Sequence, residues 1–223
     1  EAMALLRFVG LAERARELRP DSASVLEALF ALNTQSGHWL EAQAALERLR
    51  DRKLLAKGAA RQRLAALLVE RSREALASGH AEEALAQARR AQDLDPTLTP
   101  ATLAYARGLL AAGKRRKAQK LLRAAWALAP QPELAALYAD SIEGDALARA
   151  RALEALAAVN PGHAETALMQ AEAALAAKLW GEARRHLTPL AETGEARACR
   201  LMARLEEGES GASDRARAWE ARA

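Results

Sequence analysis

Gly79-His80-Ala81-Glu82-Glu83-Ala84 and Gly113-Lys114-Arg115-Arg116-Lys117-Ala118 lie 34 residues apart, and Pro96 and Pro130 follow them at the same step. Each residue of the trio has a mechanical meaning. Glycine permits the left-handed backbone that ends a helix. The alanine five residues later presents only a methyl group, so two helices can approach there. The proline, 17 residues beyond its glycine, has no N–H and clashes with the preceding turn, so it ends the second helix. Between them Ala88-Ala91-Leu94 and Leu122-Ala125-Leu128 recur at i, i+3 and i+6, which draws one apolar helical face. A unit of this kind cannot bury its apolar face alone, and successive copies must stack.

The same punctuation extends outward. Ala12-Ala15-Leu18-Pro20 and Leu153-Leu156-Val159-Pro161 repeat the closing turn, Gly37 and Gly144 repeat the glycine, and Ala42 and Ala183 repeat the small residue. The spacing also departs from regularity. Gly37 to Gly79 is 42 residues, which predicts a long connection around Asp51 to Lys57, and Gly113 to Gly144 is 31, which predicts one short first helix. Arg149 stands in the small seat and Lys178 in the glycine seat.

A 34-residue helix-turn-helix period resembles the tetratricopeptide repeat. The resemblance runs from Asp21 to about Leu190, with repeats near 22–55, 58–97, 98–131, 132–162 and 163–191. It implies an all-α right-handed superhelix, an α-solenoid of about five to six helix pairs without strands. The expected organisation is a single continuous domain over residues 1–223, most regular over 64–131 and ending in an irregular pair at 195–223 closed by Trp219.

Val25-Leu26-Glu27-Ala28-Leu29-Phe30, Gly37-His38-Trp39-Leu40-Glu41-Ala42, the stretch Arg73 to Ala88, Leu137-Tyr138-Ala139-Asp140 and Arg217-Ala218-Trp219-Glu220-Ala221 are similar to the C-terminal repeat region of HemY-type proteins. That family joins hydrophobic N-terminal helices in a bacterial inner membrane to tetratricopeptide repeats and is linked to late haem biosynthesis. The resemblance implies a non-catalytic protein-protein interaction scaffold near haem biosynthesis. It also implies an inner-membrane location through segments outside these residues, with this domain soluble and cytoplasmic.

Composition limits the alternatives. The 223 residues are 51% apolar and 28% charged but only 4% aromatic, which suits an ordered chain of close-packed helices. The net charge of +4, from 33 basic and 29 acidic side chains, is too small an excess to imply nucleic acid. Cys199 is the one cysteine, which excludes an intramolecular disulfide and a zinc site of paired cysteines. No uncharged apolar run is long enough to span a bilayer. The chain opens at Glu1 and closes at Ala223 inside helical patterns, so flanking segments, membrane anchors among them, are expected.

Chemistry is sparse. His38, His80, His163 and His186 fall in different repeats without paired spacing, and read as surface or turn residues; axial haem ligation is the alternative. No nucleophile signature, phosphate loop or metal-binding helix motif occurs, so no catalytic residue, metal ligand or cofactor is assigned. Trp39 and Trp180 read as fillers between helices. The run Lys114, Arg115, Arg116, Lys117, with Lys120 and Arg123, forms a basic edge, and a second run extends from Arg48 to Arg63. Both read either as solvated charge or as attraction to anionic lipid or an acidic partner. Repeat register places Arg73 and Arg107 at equivalent positions, neighboured by Val69, Leu103, Leu137 and Tyr138. Together these six outline an expected concave groove for a partner protein or peptide. A haem or porphyrin carrier and a peripheral anionic-lipid module are the alternatives.

Overall fold

The computed structural model describes residues 22–211 and 214–223. Among them are twelve α-helices and no strand. The closing turn read at Ala12 to Pro20 lies outside the described residues. The chain divides into two compact units, the first ending at Gly113 and the second beginning at Lys114.

The first unit contains α1 (Ala23–Gln35), α2 (Trp39–Asp51), α3 (Lys57–Ala77), α4 (Ala81–Leu94) and α5 (Thr99–Ala111). Each helix packs on the next, and α3 also packs on α5. Connections this short between packed helices make neighbours antiparallel. The core stripe of α4 is Ala84, Ala88 and Ala91, all fully buried, and its small side chains let flanking backbones come close. At that seam the buried Ser72 hydroxyl donates to the Ala84 carbonyl at 2.9 Å, which satisfies a polar group that would otherwise be stranded.

The second unit contains α6 (Arg115–Leu128), α7 (Pro132–Asp140), α8 (Ala146–Ala157), α9 (Ala164–Ala176), α10 (Trp180–Glu192), α11 (Ala196–Ser210) and α12 (Asp214–Glu220). Each again packs on its successor, and α7 on α9 and α9 on α11. Its main cluster gathers Leu168, Leu187, Cys199, Leu201, Met202 and Leu205, with Trp219 packed against its edge. The short first helix expected in this unit is α7, with nine residues.

Two expectations are corrected. The eight extra residues between Gly37 and Gly79 do not form a loop: α3 has 21 residues where α1 and α5 have 13, and only 52–56 separate α2 from α3. The insertion is two further helical turns, because the run from Lys57 is rich in good helix formers and contains no proline. The small seat of α8 is filled by Ala150, 8% exposed, while Arg149 faces outward.

The turn motif explains how lysine can replace glycine. After α3, the Gly79 N–H bonds to Leu76 O and the His80 N–H to Ala75 O, at 3.1 and 2.8 Å. After α9 the same pair recurs, Lys178 to Leu175 and Leu179 to Ala174, at 3.0 and 2.8 Å. Lys178 is held at φ +58° to make it, beside +79° at Gly79. A side chain in this left-handed region carries a penalty of roughly 1 kcal/mol. Lys178→Gly is therefore expected to stabilise the protein by about 1 kcal/mol in a denaturant titration; unchanged or lower stability contradicts this account.

Candidate functional site

In the first unit a cleft of ≈ 330 Å³ opens at the turn end of the helix pairs, between the start of α2, the last turns of α3 and the start of α4. Trp39 and Leu40 supply its apolar surface, and Glu41, Arg71, Glu74 and Glu83 its charge. Trp39 is half-buried and packs on a core cluster that includes Leu46, Leu64 and Leu68; Leu40 stands exposed. Arg71 is fixed: one nitrogen donates to Gln43 Oε1 at 2.8 Å, another lies 3.8 Å from Glu83, and its side chain is 17% exposed.

The second unit has a cleft of ≈ 470 Å³ lined by Glu172, Leu175, Ala176, Trp180 and Arg204. Its tryptophan stands where the first one does. Trp39 is the second residue after Gly37 and Trp180 the second after Lys178, both of the latter residues being left-handed. Arg71 lies six residues before Ala77, the end of α3 (77−71), and Arg204 six before Ser210, the end of α11 (210−204). Ala75 and Gly208 lie two before those ends. A Cβ on Gly208 would stand 2.7 Å from the Trp180 ring, so the bare backbone lets the indole lie against α11.

Two ion networks brace this cleft. Arg184 on α10 pairs with Glu206 and Glu209 on α11. Arg197 on α11 contacts Glu165 at 2.8 Å and Glu172 at 2.9 Å on α9. Burial pushes the Glu165 carboxyl up despite its Arg197 partner, so desolvation outweighs the attraction at that oxygen pair. The Glu206 hydrogen bond raises Arg184 above its ordinary value. Burial, and then Arg185, push His186 down.

The residues expected from sequence are distributed as follows. On α3, Val69 is half-buried and Arg73 is exposed and paired with Glu70. On α5, Leu103 is buried and Arg107 is exposed with no ion pair among the described residues. Leu137 and Tyr138 of α7 are buried. Lys114, Arg115, Arg116, Lys117 and Lys120 are all exposed. The second basic run breaks up: Arg50 pairs with Asp51, Arg61 donates to Leu94 O, and Arg63 pairs with Glu27 beneath a cation–π contact to Phe30. His38 and His80 are exposed and immediately precede α2 and α4, while His163 Nδ1 accepts the Glu165 N–H at 3.1 Å as a helix cap. Cys199 is fully buried, and no cluster of metal-ligand side chains occurs among the described residues. Among those residues no helix is long and apolar enough to cross a membrane.

Sequence reading missed the pairing of each tryptophan with an arginine from the next first helix. The partners are 32 residues apart in one case (71−39) and 24 in the other (204−180). The difference of eight comes from α3 being six residues longer than α11 and the connection before it two residues longer, and only alignment from the helix ends reveals the match.

No family model matches the chain. In an alignment 211 positions long that covers 88% of this chain, it is 37% identical to the Magnetospirillum gryphiswaldense protein named "Probable magnetosome protein Mms48", and it spans 44% of that protein's length. Among solved structures it is similar to a thermophilic TPR protein of Thermus thermophilus, with TM-score 0.39, 23% identity, and coverage of 78% of this chain and 94% of that one. It is also similar to PilF of Pseudomonas aeruginosa, with TM-score 0.43, 18% identity, and coverage of 87% and 88%. Paired helices stacked on their successors, first helices packed on first helices, and turns recurring at a 34-residue step make this fold an α-solenoid of tetratricopeptide type.

Proposed function

We propose that the chain is a protein-binding repeat scaffold that grips extended peptide segments at its two tryptophan clefts. The observation that carries this reading is the recurrence, in two separate units, of a half-buried indole beside an arginine at the same distance from a helix end. Packing alone does not call for an open cleft at both. An indole offers flat apolar area to one peptide side chain, while the flanking guanidinium and carboxylates can take up its backbone or charged neighbours. The first cleft is the more acidic, with Glu41, Glu74 and Glu83 around one arginine, and suits a segment carrying a basic residue.

Selection from a displayed peptide library tests this directly. Selected peptides are expected to bind Trp39→Ala or Trp180→Ala at least tenfold more weakly, the usual scale for an aromatic anchor. Gly208→Val, which fills the space beside Trp180, should abolish only the second site. Peptides that bind the double tryptophan variant as well as the wild type would remove the clefts from this role. The first-helix wall at Arg73 and Arg107 is then the competing contact, reported by loss of binding in Arg73→Glu/Arg107→Glu.

Two cellular settings come from sequence likeness: an inner membrane near haem biosynthesis, from the HemY-type motifs, and a magnetosome, from the Magnetospirillum protein. The second rests on an alignment covering 88% of the chain at 37% identity and the first on short stretches of repeat-like sequence, so we favour the magnetosome setting. Copurification of the tagged full-length protein with magnetosomes supports it, and absence from them removes it.

A further inference from the structure

The α6 helix is charged on one side only. Arg115, Arg116, Lys117, Lys120 and Arg123 follow Lys114 at its start, and the helix contains no acidic residue. All six cations are exposed. Arg115 pairs with Glu143; among the described residues the other five have no ion pair. The first turn thus concentrates positive charge at the positive end of the helix dipole. Folding gains nothing from that placement.

The same exposed face changes character toward its end. Lys117, Lys120, Ala124 and Leu128 follow one another at i, i+3, i+7 and i+11, so they share a face. Ala124 and Ala127 are exposed, and Leu128 is 84% exposed. The opposite face, Ala118, Leu122 and Trp126, is fully buried. The outer face is therefore basic for its first ten residues and apolar at its end.

We propose that this face docks on a bilayer containing anionic phospholipid, with the cations over the headgroups and Leu128 entering the interface. Three features select that partner. The cations are spread along about 14 Å of helix rather than converging on a point, which matches an extended anionic surface better than a single phosphate. No α6 residue lines either cleft, so the peptide sites proposed there do not use this face. The one aromatic residue of α6 is the buried Trp126, which leaves nothing on this face for nucleic-acid bases to stack on.

Flotation of the purified chain with vesicles tests the proposal. At low salt it should float with phosphatidylcholine–phosphatidylglycerol vesicles, stay behind with phosphatidylcholine alone, and be released as salt rises. Arg116→Glu/Lys117→Glu/Lys120→Glu should weaken binding on the order of a hundredfold. Its acidic residues suit the helix start, so its melting temperature should be no lower than wild type. Leu128→Ser should weaken binding about three- to tenfold. Failure of the wild type to float at low salt, equal flotation of the folded triple variant, or tighter binding to an acidic polypeptide or duplex DNA than to vesicles would each overturn the assignment. Because the clefts lie elsewhere, Trp39→Ala/Trp180→Ala should float unchanged.

Discussion

Arg184→Met is expected to destabilise the protein by about 3 kcal/mol at neutral pH, near the lower end of the range for breaking a buried ion pair. The reason lies with the partner. Glu206 is 3% exposed, and removing its guanidinium leaves a carboxylate in the seam between α10 and α11 with its ion-pair partner gone. The side chain of Arg184 is 37% exposed, so water screens part of the pair and the upper end of the range is not expected. Urea titrations of wild type and Arg184→Met at neutral pH measure the deficit directly.

The companion variant separates charge from packing. Arg184→Met/Glu206→Leu replaces the pair with apolar groups and should recover most of the loss. A loss below about 1 kcal/mol in the single variant, or no recovery in the double, would mean that Glu206 finds other solvation. The seam also matters to function. Trp180 and Arg184 are four residues apart on α10 and so share a face, which makes the Arg184 network a support for the second tryptophan cleft. Peptide binding at that cleft should therefore fall with Arg184→Met and return with the double variant.

The glycine, alanine and proline marks made the helix pairs legible because each encodes a local backbone requirement. Ala42, Ala84, Ala118 and Ala183 are all fully buried, and Lys178 adopts the left-handed backbone of the glycine it replaces. The insertion before Gly79 was read as a connection because spacing between two turns gives length but not conformation. Two added turns of helix and an eight-residue loop leave the same distance in sequence. Composition favoured the helix, since residues 57–68 are mostly Ala, Leu, Arg, Lys and Gln, but Gly58 obscured it. The shift from Arg149 to Ala150 was not legible either, because α8, like α4 and α6, starts two residues after its glycine and differs in its cap, where the Asp145 carboxylate accepts the Ala148 N–H.

The clefts were hidden for a different reason. Each is assembled from three helix ends, and a tryptophan after a turn satisfies a packing account and a binding account equally well. Only the observed exposure and the small residue opposite distinguish the two. Gly208 illustrates this, since in sequence it is an unremarked glycine within a helical pattern, and its purpose appears only against the Trp180 ring. The basic edge was visible as composition, but its sidedness depended on which residues of α6 are buried.

Trp126→Ala should destabilise the protein by about 3 to 5 kcal/mol, the range for removing a large aromatic from a core. Trp126 is the largest fully buried side chain among the described residues and is 0% exposed. Among the described residues its indole Nε1–H meets no hydrogen-bond partner, so the site bears the desolvation of an unmet donor. Trp126→Phe removes that donor together with part of the ring. Relief of an unmet donor, of order 1 to 3 kcal/mol, should offset much of the lost packing, leaving a net change of about 1 kcal/mol or less. Denaturant titrations of the two variants should therefore differ by at least about 2 kcal/mol. A loss for Trp126→Phe approaching that of Trp126→Ala would show that the N–H is satisfied and that packing alone governs the site. The comparison reaches the outer surface of the same helix. Trp126 anchors the face of α6 opposite Lys117, Lys120 and Leu128, so folded Trp126→Phe should keep wild-type flotation on anionic vesicles. Trp126→Ala should lose flotation in proportion to the loss of folded protein on heating.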